Sequence, residues 1–415
     1  MWWAVDAVKP LVFRRNRCGW GSLTFRAGLS RGADRYALDQ VHVSAVGSSP
    51  TRVSGLARAL PAYRSPPAAL WKQALGAGVL GALLLAVLSE LSRREPTPRG
   101  DDLIYERMAQ HPFGVHTFPF AFRIGLPWLV HVLPLRHSSS FLALAWLAAG
   151  AAAGFAFALM RRLDTPAGLA LGLALALAAS PPMLIVALRG GRNTDAATIM
   201  FMMAAALFIV DRRPRALTLT LLVGVLFRES VLFMIPLAYA VWAQRLWDAG
   251  AARRMVAVGA PAVLAFVALH LAIDSVGKDN VPGYGGSLIG ERVTVVKSGL
   301  RSFTLEARRM FSVFGPLWVA APLALRSSRL ARRGLVLVAC SLASMTFALD
   351  WGRMIFLSAP VFYPAGADTL TRYPRWRIPA LLAFAALILG YAIYMDRSGV
   401  LHGIIDNPPP PYPVR

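Results

Sequence analysis

Long apolar runs, separated by short polar segments, dominate the chain between residues 69 and 395. The runs are rich in Ala, Leu, Gly and Val and lack the alternation of apolar and polar residues that β-strands show. A helix needs roughly 20 apolar residues to cross a hydrocarbon core of about 30 Å, and most of the runs approach that length. The pattern therefore predicts an all-α fold, a polytopic transmembrane helical bundle of about 11 spans.

The polar segments divide the apolar runs into predicted spans whose boundaries are good to a few residues. Pro181-Pro182 predicts a kink in the third span, and Gly150-x-x-x-Gly154 and Gly168-x-x-x-Gly172 predict close helix packing. The spans are Ala69–Leu91, Phe141–Met160, Ala167–Leu188, Asp195–Val210, Ala216–Phe227, Val231–Ala243, Met255–Ile273, Met310–Leu325, Gly334–Leu349, Met354–Leu370 and Ile378–Met395.

Three segments between the spans predict structure outside the hydrocarbon core. DDLIYERMA begins at Asp101 and predicts a helix in the external loop after the first span. Phe118–Leu135 contains prolines and aromatic residues and predicts a helix that lies in the membrane interface. Asp274–Arg309 predicts a polar loop.

The two ends of the chain differ from residues 68–396, which we expect to form the transmembrane domain. Residues 1–67 hold ten Lys and Arg against three Asp and have no apolar run near Met1, which excludes a secretory signal peptide. They predict either a basic, disordered cytoplasmic arm or a segment upstream of the true start codon. Residues 397–415 predict an external, Pro-rich, extended tail.

The composition agrees with a membrane protein and argues against nucleic acid as a partner. The 415 residues are 56% hydrophobic and only 16% charged, with a net charge of +23. The basic residues concentrate in the N-terminal segment and in short loops, which is the positive-inside pattern and favours contact with anionic lipid. Cys18 and Cys340 lack CxxC spacing and predict neither a disulfide framework nor a zinc site.

The positive-inside rule predicts which loops face the cytoplasm. The loops after spans two, four, six, eight and ten are rich in Arg, so we place them inside, together with the N-terminus. This predicts a multi-pass protein of the inner (plasma) membrane with an extracytoplasmic site. The segments that then fall outside are Gly100–Trp128, Arg189–Asp195, Arg228-Glu229, residues 274–309 and Asp350–Arg353.

The aspartates that open the first external loop are candidate catalytic residues. Asp101 or Asp102 could act as a general base, or the pair could only cap a helix. Successive helical residues point about 100° apart, so one of the two faces a cavity. Tyr105 lies four residues after Asp101, which slightly favours Asp101 as the base.

External arginines are candidate phosphate ligands, because a guanidinium binds phosphate oxygens in a bidentate fashion. Simpler roles are open as well, since Arg123 could anchor an interfacial helix and Arg228-Glu229 could be a mutual ion pair. No metal-ligand spacing is present, and a divalent metal requirement stays open. The candidate arginines are Arg123, Arg189, Arg192, Arg228 and Arg353, and the supporting residues are Tyr105, His111, Asp195, Glu229 and Asp350.

Several segments in this order resemble bacterial GT-C superfamily glycosyltransferases that use polyprenyl-phosphate sugars, over residues 69–395. The segments are PFAFRIGLPWL, RGGRNTDAATIMFMMAAALFIVDRRPR, LLVGVLFRESVLFMIPLAY and DWGRMIFLSAPVFYPAGA. The resemblance implies an external-loop aspartate, Asp101 or Asp102, as catalytic base, and external arginines that hold the phosphate of the lipid-linked donor. It also implies an inverting single displacement, with a glycan, lipid or protein as acceptor.

Two other functions compete with glycosyl transfer. A transporter or flippase for a lipid-linked or anionic solute would also bury Arg and Asp, although such proteins usually show an internal repeat and a site near the midplane. A structural membrane subunit would need no chemistry at all. The clustering of predicted external Arg and acidic residues favours the transferase.

Overall fold

A computed structural model describes residues 68–91, 101–115, 119–273, 288–301, 303–346 and 350–394 of the protein. All of them belong to the unit formed by residues 55–415. Within these ranges the chain forms helices and connecting turns and has no β-strand, which confirms the all-α prediction. The predicted N-terminal arm and Pro-rich tail lie outside the described residues.

The described helices follow one another with short connections, and four 3-10 turns lie among them. The α-helices are α1 (Ala68–Leu91), α2 (Asp101–Gln110), α3 (Gly125–Val132), α4 (His137–Arg162), α5 (Ala167–Ala178), α6 (Pro181–Leu188), α7 (Asp195–Val210), α8 (Pro214–Val225), α9 (Met234–Trp242), α10 (Ala249–Ala272), α11 (Leu288–Arg301), α12 (Phe303–Phe314), α13 (Leu317–Leu323), α14 (Arg329–Ser344), α15 (Trp351–Phe356), α16 (Ala359–Arg372) and α17 (Arg377–Tyr394).

The described residues do not support the predicted count of about 11 spans. Four segments are long and apolar enough to cross a membrane: α1, α4, α10 and Pro374–Ala392, which contains most of α17. Helices α5 and α6 make a fifth if the bent pair counts as one span. Helices α7 and α8 have 16 and 12 residues and rise only about 24 and 18 Å, less than the hydrocarbon thickness. Counting every apolar run as a span therefore gave a number that the described helices do not support.

The predicted kink at Pro181-Pro182 is present. Helix α5 ends at Ala178, α6 begins at Pro181, and the two axes are bent by 42°. A proline disfavours the helical conformation of the residue before it and lacks an amide hydrogen, so the helix breaks at Ser180.

Two predicted segments have a different structure from the one that the sequence indicated. The predicted polar loop Asp274–Arg309 contains α11 and the first two turns of α12. Residues 274–287 lie outside the described residues. The predicted span Met354–Leu370 is broken into α15 and α16 at Leu357-Ser358. The first segment has a low mean apolarity and is nevertheless helical. The second has a high mean apolarity, which gives no information on where the helix breaks.

Helix α1 packs against α4 with the two backbones in contact. A Cβ atom added at Gly150 would lie 2.6 Å from the carbonyl oxygen of Gly78, and one at Gly154 would lie 2.8 Å from that of Ala74. Small residues allow this close approach, so the Gly150-x-x-x-Gly154 prediction holds. In the second pattern the two glycines differ, because nothing lies within 4 Å of a Cβ at Gly168, whereas one at Gly172 would lie 2.8 Å from the side chain of Leu381.

We expect Gly150→Leu to destabilise the protein by forcing α1 away from α4. Overpacking of a close contact costs about 1–3 kcal/mol. The matched control is Gly168→Leu, which adds the same side chain to a position with open space around it. The thermal unfolding midpoint in detergent should fall for Gly150→Leu only. Equal midpoints for the two variants would contradict the packing of α1 on α4.

Candidate functional site

Charged side chains from several helix ends meet at one place in the described structure. They come from the start of α2, the 3-10 turn before α3, the turn between α6 and α7, the turn after α8 and the start of α15. Helix ends leave backbone groups unpaired and are where polar side chains are most easily accommodated. The cluster therefore sits where the apolar helices stop.

The turn between α6 and α7 shapes the centre of the cluster. Gly190 and Gly191 have φ values of +72° and +73°, the left-handed region that favours glycine. A Cβ on Gly191 would lie 2.3 Å from the carbonyl oxygen of Phe141, so the turn passes directly against α4. Thr194 is the N-cap residue of α7 and makes no side-chain cap bond, while Oδ1 of Asn193 before it accepts from the amide of Asp195 at 3.1 Å.

Asp195 is buried between two arginines. Arg228 donates to its Oδ1, and the Nε of Arg353 lies 2.5 Å from its Oδ2. Arg353 also donates from Nη2 to Oδ1 of Asn193 at 3.2 Å. Asp195 and Arg228 are both almost inaccessible to solvent. A carboxylate shared by two guanidinium groups holds them in fixed positions but neutralises only one of the two charges.

Arg228 and Glu229 are adjacent in sequence yet have different partners, which corrects the suggested mutual ion pair. Glu229 accepts two hydrogen bonds from Arg123, at 3.0 Å from Nε and 2.6 Å from Nη2. Arg228 has an extended backbone, with φ −165° and ψ 137°. Neighbouring side chains on extended backbone point to opposite sides, which separates these two charges.

One face of α2 packs onto the turn between α6 and α7. Asp102 is fully buried and accepts from Nε of Arg189 at 2.9 Å, and Glu106 lies 3.4 Å from Nε of Arg192. Tyr105 is also buried, with its hydroxyl 3.5 Å from Nη1 of Arg123. Residues three and four apart share a helical face, which is why these three side chains act together.

Asp102 lies on the buried face of α2 together with Tyr105. The side chain of Asp101 lies outside the described residues, so the choice between the two stays a prediction. His111 is exposed just after α2. Within the described ranges, no three His, Cys, Asp or Glu side chains gather as metal ligands would.

A small cavity of about 40 Å³ opens beside this cluster. That space holds a few water molecules or one small anionic group. Asp350 lies at its wall and caps α15, accepting from the amide of Arg353 at 3.0 Å. The charged and amide residues that line the cavity are Arg189, Asn193, Asp195, Arg309, Asp350 and Arg353.

Sequence reasoning missed Glu306 and Arg309, because both fell in the predicted polar loop. Glu306 accepts from Nη1 of Arg309 at 2.6 Å and from the amide of Trp351 at 2.9 Å, so it ties α12 to α15. Burial raises the pKa of Glu306 above its ordinary value. The three-residue spacing of an acid and a base would have been a signal for a helix at this place.

No protein-family model and no curated protein matches the chain. Solved structures of the oligosaccharyltransferase of Archaeoglobus fulgidus are similar to it at a distance. The apo form is 14% identical with a TM-score of 0.46, over 76% of this chain and 54% of that one. The complex with Zn and sulfate is 13% identical with a TM-score of 0.45, over 75% and 51%. The complex of AglB with an inhibitory peptide and a dolichol-phosphate is 13% identical with a TM-score of 0.44, over 76% and 54%. The chain thus spans about half the length of the structures it matches.

Proposed function

We propose that the protein is a membrane glycosyltransferase of the GT-C type. It moves a sugar from a polyprenyl-phosphate donor to an acceptor on the extracytoplasmic face. The observation that carries the proposal is the wall of the small cavity, where Arg189, Arg309 and Arg353 each face the cavity and each pair with a carboxylate. These groups are positioned in advance to bind an anion, and the lipid phosphate that leaves the sugar is an anion.

The arginines bind the donor phosphate in this proposal. A guanidinium has five N–H donors in a fixed fork, so it can bond a carboxylate and a phosphate oxygen at the same time. The bond between the anomeric carbon and the phosphate oxygen breaks with its electron pair on the phosphate. Three positive groups around that oxygen stabilise the charge as it develops, without requiring a metal for this step.

An aspartate at the start of α2 acts as general base. It accepts the proton of the acceptor hydroxyl or amine as that group attacks the anomeric carbon from the side opposite the phosphate. A single displacement of this kind inverts the anomeric centre. We assign the role to Asp102, whose carboxylate is held by Arg189. Because Asp102 is fully buried, the side chains around it must move before the acceptor reaches its carboxylate.

A transporter or flippase is the second candidate. Its supporting observation is the bent pair α5 and α6, with Arg189 directly after the second helix. Broken helices whose ends face charged groups are a common way to bind a substrate inside a membrane. This candidate requires the lipid-linked or anionic solute to cross the bilayer intact.

Transfer can be tested with the protein in lipid nanodiscs and a radiolabelled polyprenyl-phosphate hexose, with the pentose in a second arm and membrane extract as acceptor. We expect the label to leave the lipid in the wild type. Arg309→Gln should lower this transfer by about 10²-fold, because one positive group at the leaving oxygen is lost. Arg308→Gln is the matched control, since Arg308 is exposed and does not line the cavity.

Two outcomes contradict the transferase. The first is intact label that crosses the bilayer of proteoliposomes without leaving its lipid, which supports the transporter. The second is an equal loss of transfer in Arg308→Gln and Arg309→Gln, which would show that the cavity does not hold the reacting phosphate. Circular dichroism of both variants separates loss of chemistry from loss of folding.

A further inference from the structure

A second cavity lies at the opposite end of α7 from the ion-pair cluster. Its volume is about 490 Å³, and it is formed by the turn after α7 and the connection between α9 and α10. Asp195 begins α7 and Asp211 follows it, so the two places are about 24 Å apart along the helix. The charged and aromatic residues that line the cavity are Arg212, Trp242, Arg245, Trp247, Asp248 and Arg254.

Three arginines give this cavity its charge. Arg212, Arg245 and Arg254 are exposed, and none of them forms an ion pair within 4 Å or a side-chain hydrogen bond in the part of the chain that the structure describes. Asp248 is the acidic residue of the lining, which leaves a net charge of about +2. The arginines of the first cluster, in contrast, are paired with carboxylates.

The backbone at Arg212 adds a second observation. Its φ is +53°, in the left-handed region where glycine or asparagine usually ends a helix. A bulky side chain in that conformation is strained, so the backbone alone would favour glycine at this position. The position nevertheless carries a guanidinium that lines the cavity. Strain of this kind is found where a side chain has a task.

The connection between α9 and α10 is held in place by hydrogen bonds. The hydroxyl of Tyr239 donates to the carbonyl of Leu246 at 2.7 Å and accepts from the amide of Asp248 at 3.1 Å. Asp248 in turn accepts from the amides of Gln244 and Ala251, both at 3.0 Å, and these bonds lower its pKa. The carboxylate therefore serves the turn and stays ionised.

This fixed turn presents apolar side chains next to the arginines. Leu246 is 79% exposed and Trp247 is 87% exposed, although both lie beside charged residues. Trp242 is a buried residue of the cavity lining and donates from Nε1 to the carbonyl of Ile209 at 2.9 Å. An exposed tryptophan beside basic residues is typical of the level of lipid headgroups.

We propose that this cavity binds the phosphate of an anionic membrane lipid, with Arg212, Arg245 and Arg254 on the phosphate and Trp247 inserted at the headgroup level. The arginines supply the anion recognition, and the exposed Leu246 and Trp247 favour an amphiphile over a free anion. On the positive-inside assignment the lipid belongs to the cytoplasmic leaflet. The lipid site takes no part in the proposed sugar transfer, so neither proposal depends on the other.

The test counts bound lipids on the full-length protein by native mass spectrometry, with phosphatidylglycerol or phosphatidylcholine in the micelle. We expect phosphatidylglycerol to be retained in preference to phosphatidylcholine. Arg254→Gln should weaken its retention about fivefold, the effect of one basic residue near an anionic surface. Arg253→Gln removes the same charge from the neighbouring position of α10, which does not line the cavity, and should have little effect.

Arg212→Gly is the second informative variant, because glycine accepts the left-handed backbone and removes only the guanidinium. We expect it to fold normally and to weaken phosphatidylglycerol retention to a similar degree. Glycerol 1-phosphate and inorganic phosphate form the competitor arms. Equal retention of the two lipids, or an equal loss in Arg253→Gln and Arg254→Gln, would overturn the proposal. Displacement by millimolar inorganic phosphate would assign the cavity to a free anion and overturn the lipid as its source.

Discussion

Asp102→Asn is expected to lower sugar transfer by about 10²- to 10⁴-fold, the range that a general base contributes. The asparagine has almost the same shape, so α2 keeps its place on the turn between α6 and α7, but it cannot accept the acceptor proton. Loss of the carboxylate also releases Arg189, which it holds at 2.9 Å. Donor-lipid binding should therefore be unchanged or slightly tighter, and this separation of binding from transfer is the signature of the role.

Asp101→Asn is the matched control for this variant, because it makes the same change at the neighbouring residue. We expect it to cost little beyond a helix cap, about 1 kcal/mol. Transfer and donor binding are measured on the same nanodisc samples. If Asp101→Asn abolishes transfer and Asp102→Asn does not, the base is Asp101. If both variants transfer at near-normal rates, the aspartates only cap α2 and the catalytic role is wrong.

Asp195→Ala is expected to cost about 3–5 kcal/mol of folding free energy, because it leaves buried positive charge without its partner. Arg228 is almost inaccessible to solvent, and Arg353 shares the same carboxylate. Without Asp195 the two guanidinium groups face each other in a site with little water. Unfolding in detergent, followed by tryptophan fluorescence or circular dichroism, measures the loss.

Asp368→Ala is a control that removes a surface carboxylate from its ion pair. Asp368 pairs with Arg372 four residues on and accepts from Oγ of Ser327 at 2.8 Å, and both charged side chains are partly exposed. An exposed pair contributes about 0–1 kcal/mol and a hydrogen bond about 1 kcal/mol, so this variant should lose clearly less stability than Asp195→Ala. The double variant Asp195→Ala/Arg228→Leu should recover part of the lost stability, since it removes the unpaired charge. Similar losses for Asp195→Ala and Asp368→Ala would show that the buried ion pair contributes no more to stability than the exposed one.

Local sequence signals predicted several features of the fold. The prolines at 181 and 182 predicted the break between α5 and α6, and the glycines at 150 and 154 predicted the close packing of α1 on α4. Both effects depend on backbone sterics within one or two turns of helix, which the residue types determine directly. Residue type also indicated the charged residues of the turn between α6 and α7, of the turn after α8 and of the start of α15.

The number of spans could not be predicted in the same way. An apolar helix of 12–16 residues is equally compatible with a short span, half of a broken span or a buried helix. Glu306 shows a related failure, because its segment has little mean apolarity and was predicted as a loop. Its helix exists because α12 packs against α15, with Glu306 bonded to the amide of Trp351.

The amino-acid sequence by itself determined the helical class, the membrane character and the identity of most charged residues in the cluster. These follow from local properties, namely apolar length, residue type and the conformations that proline and glycine allow. Only the tertiary structure decided which charges pair. Arg123 pairs with Glu229 across 106 positions of the chain, and Asp195 pairs with Arg353 across 158. Ion pairing depends on distance in space, and distance between separate helix ends is set by how the helices pack.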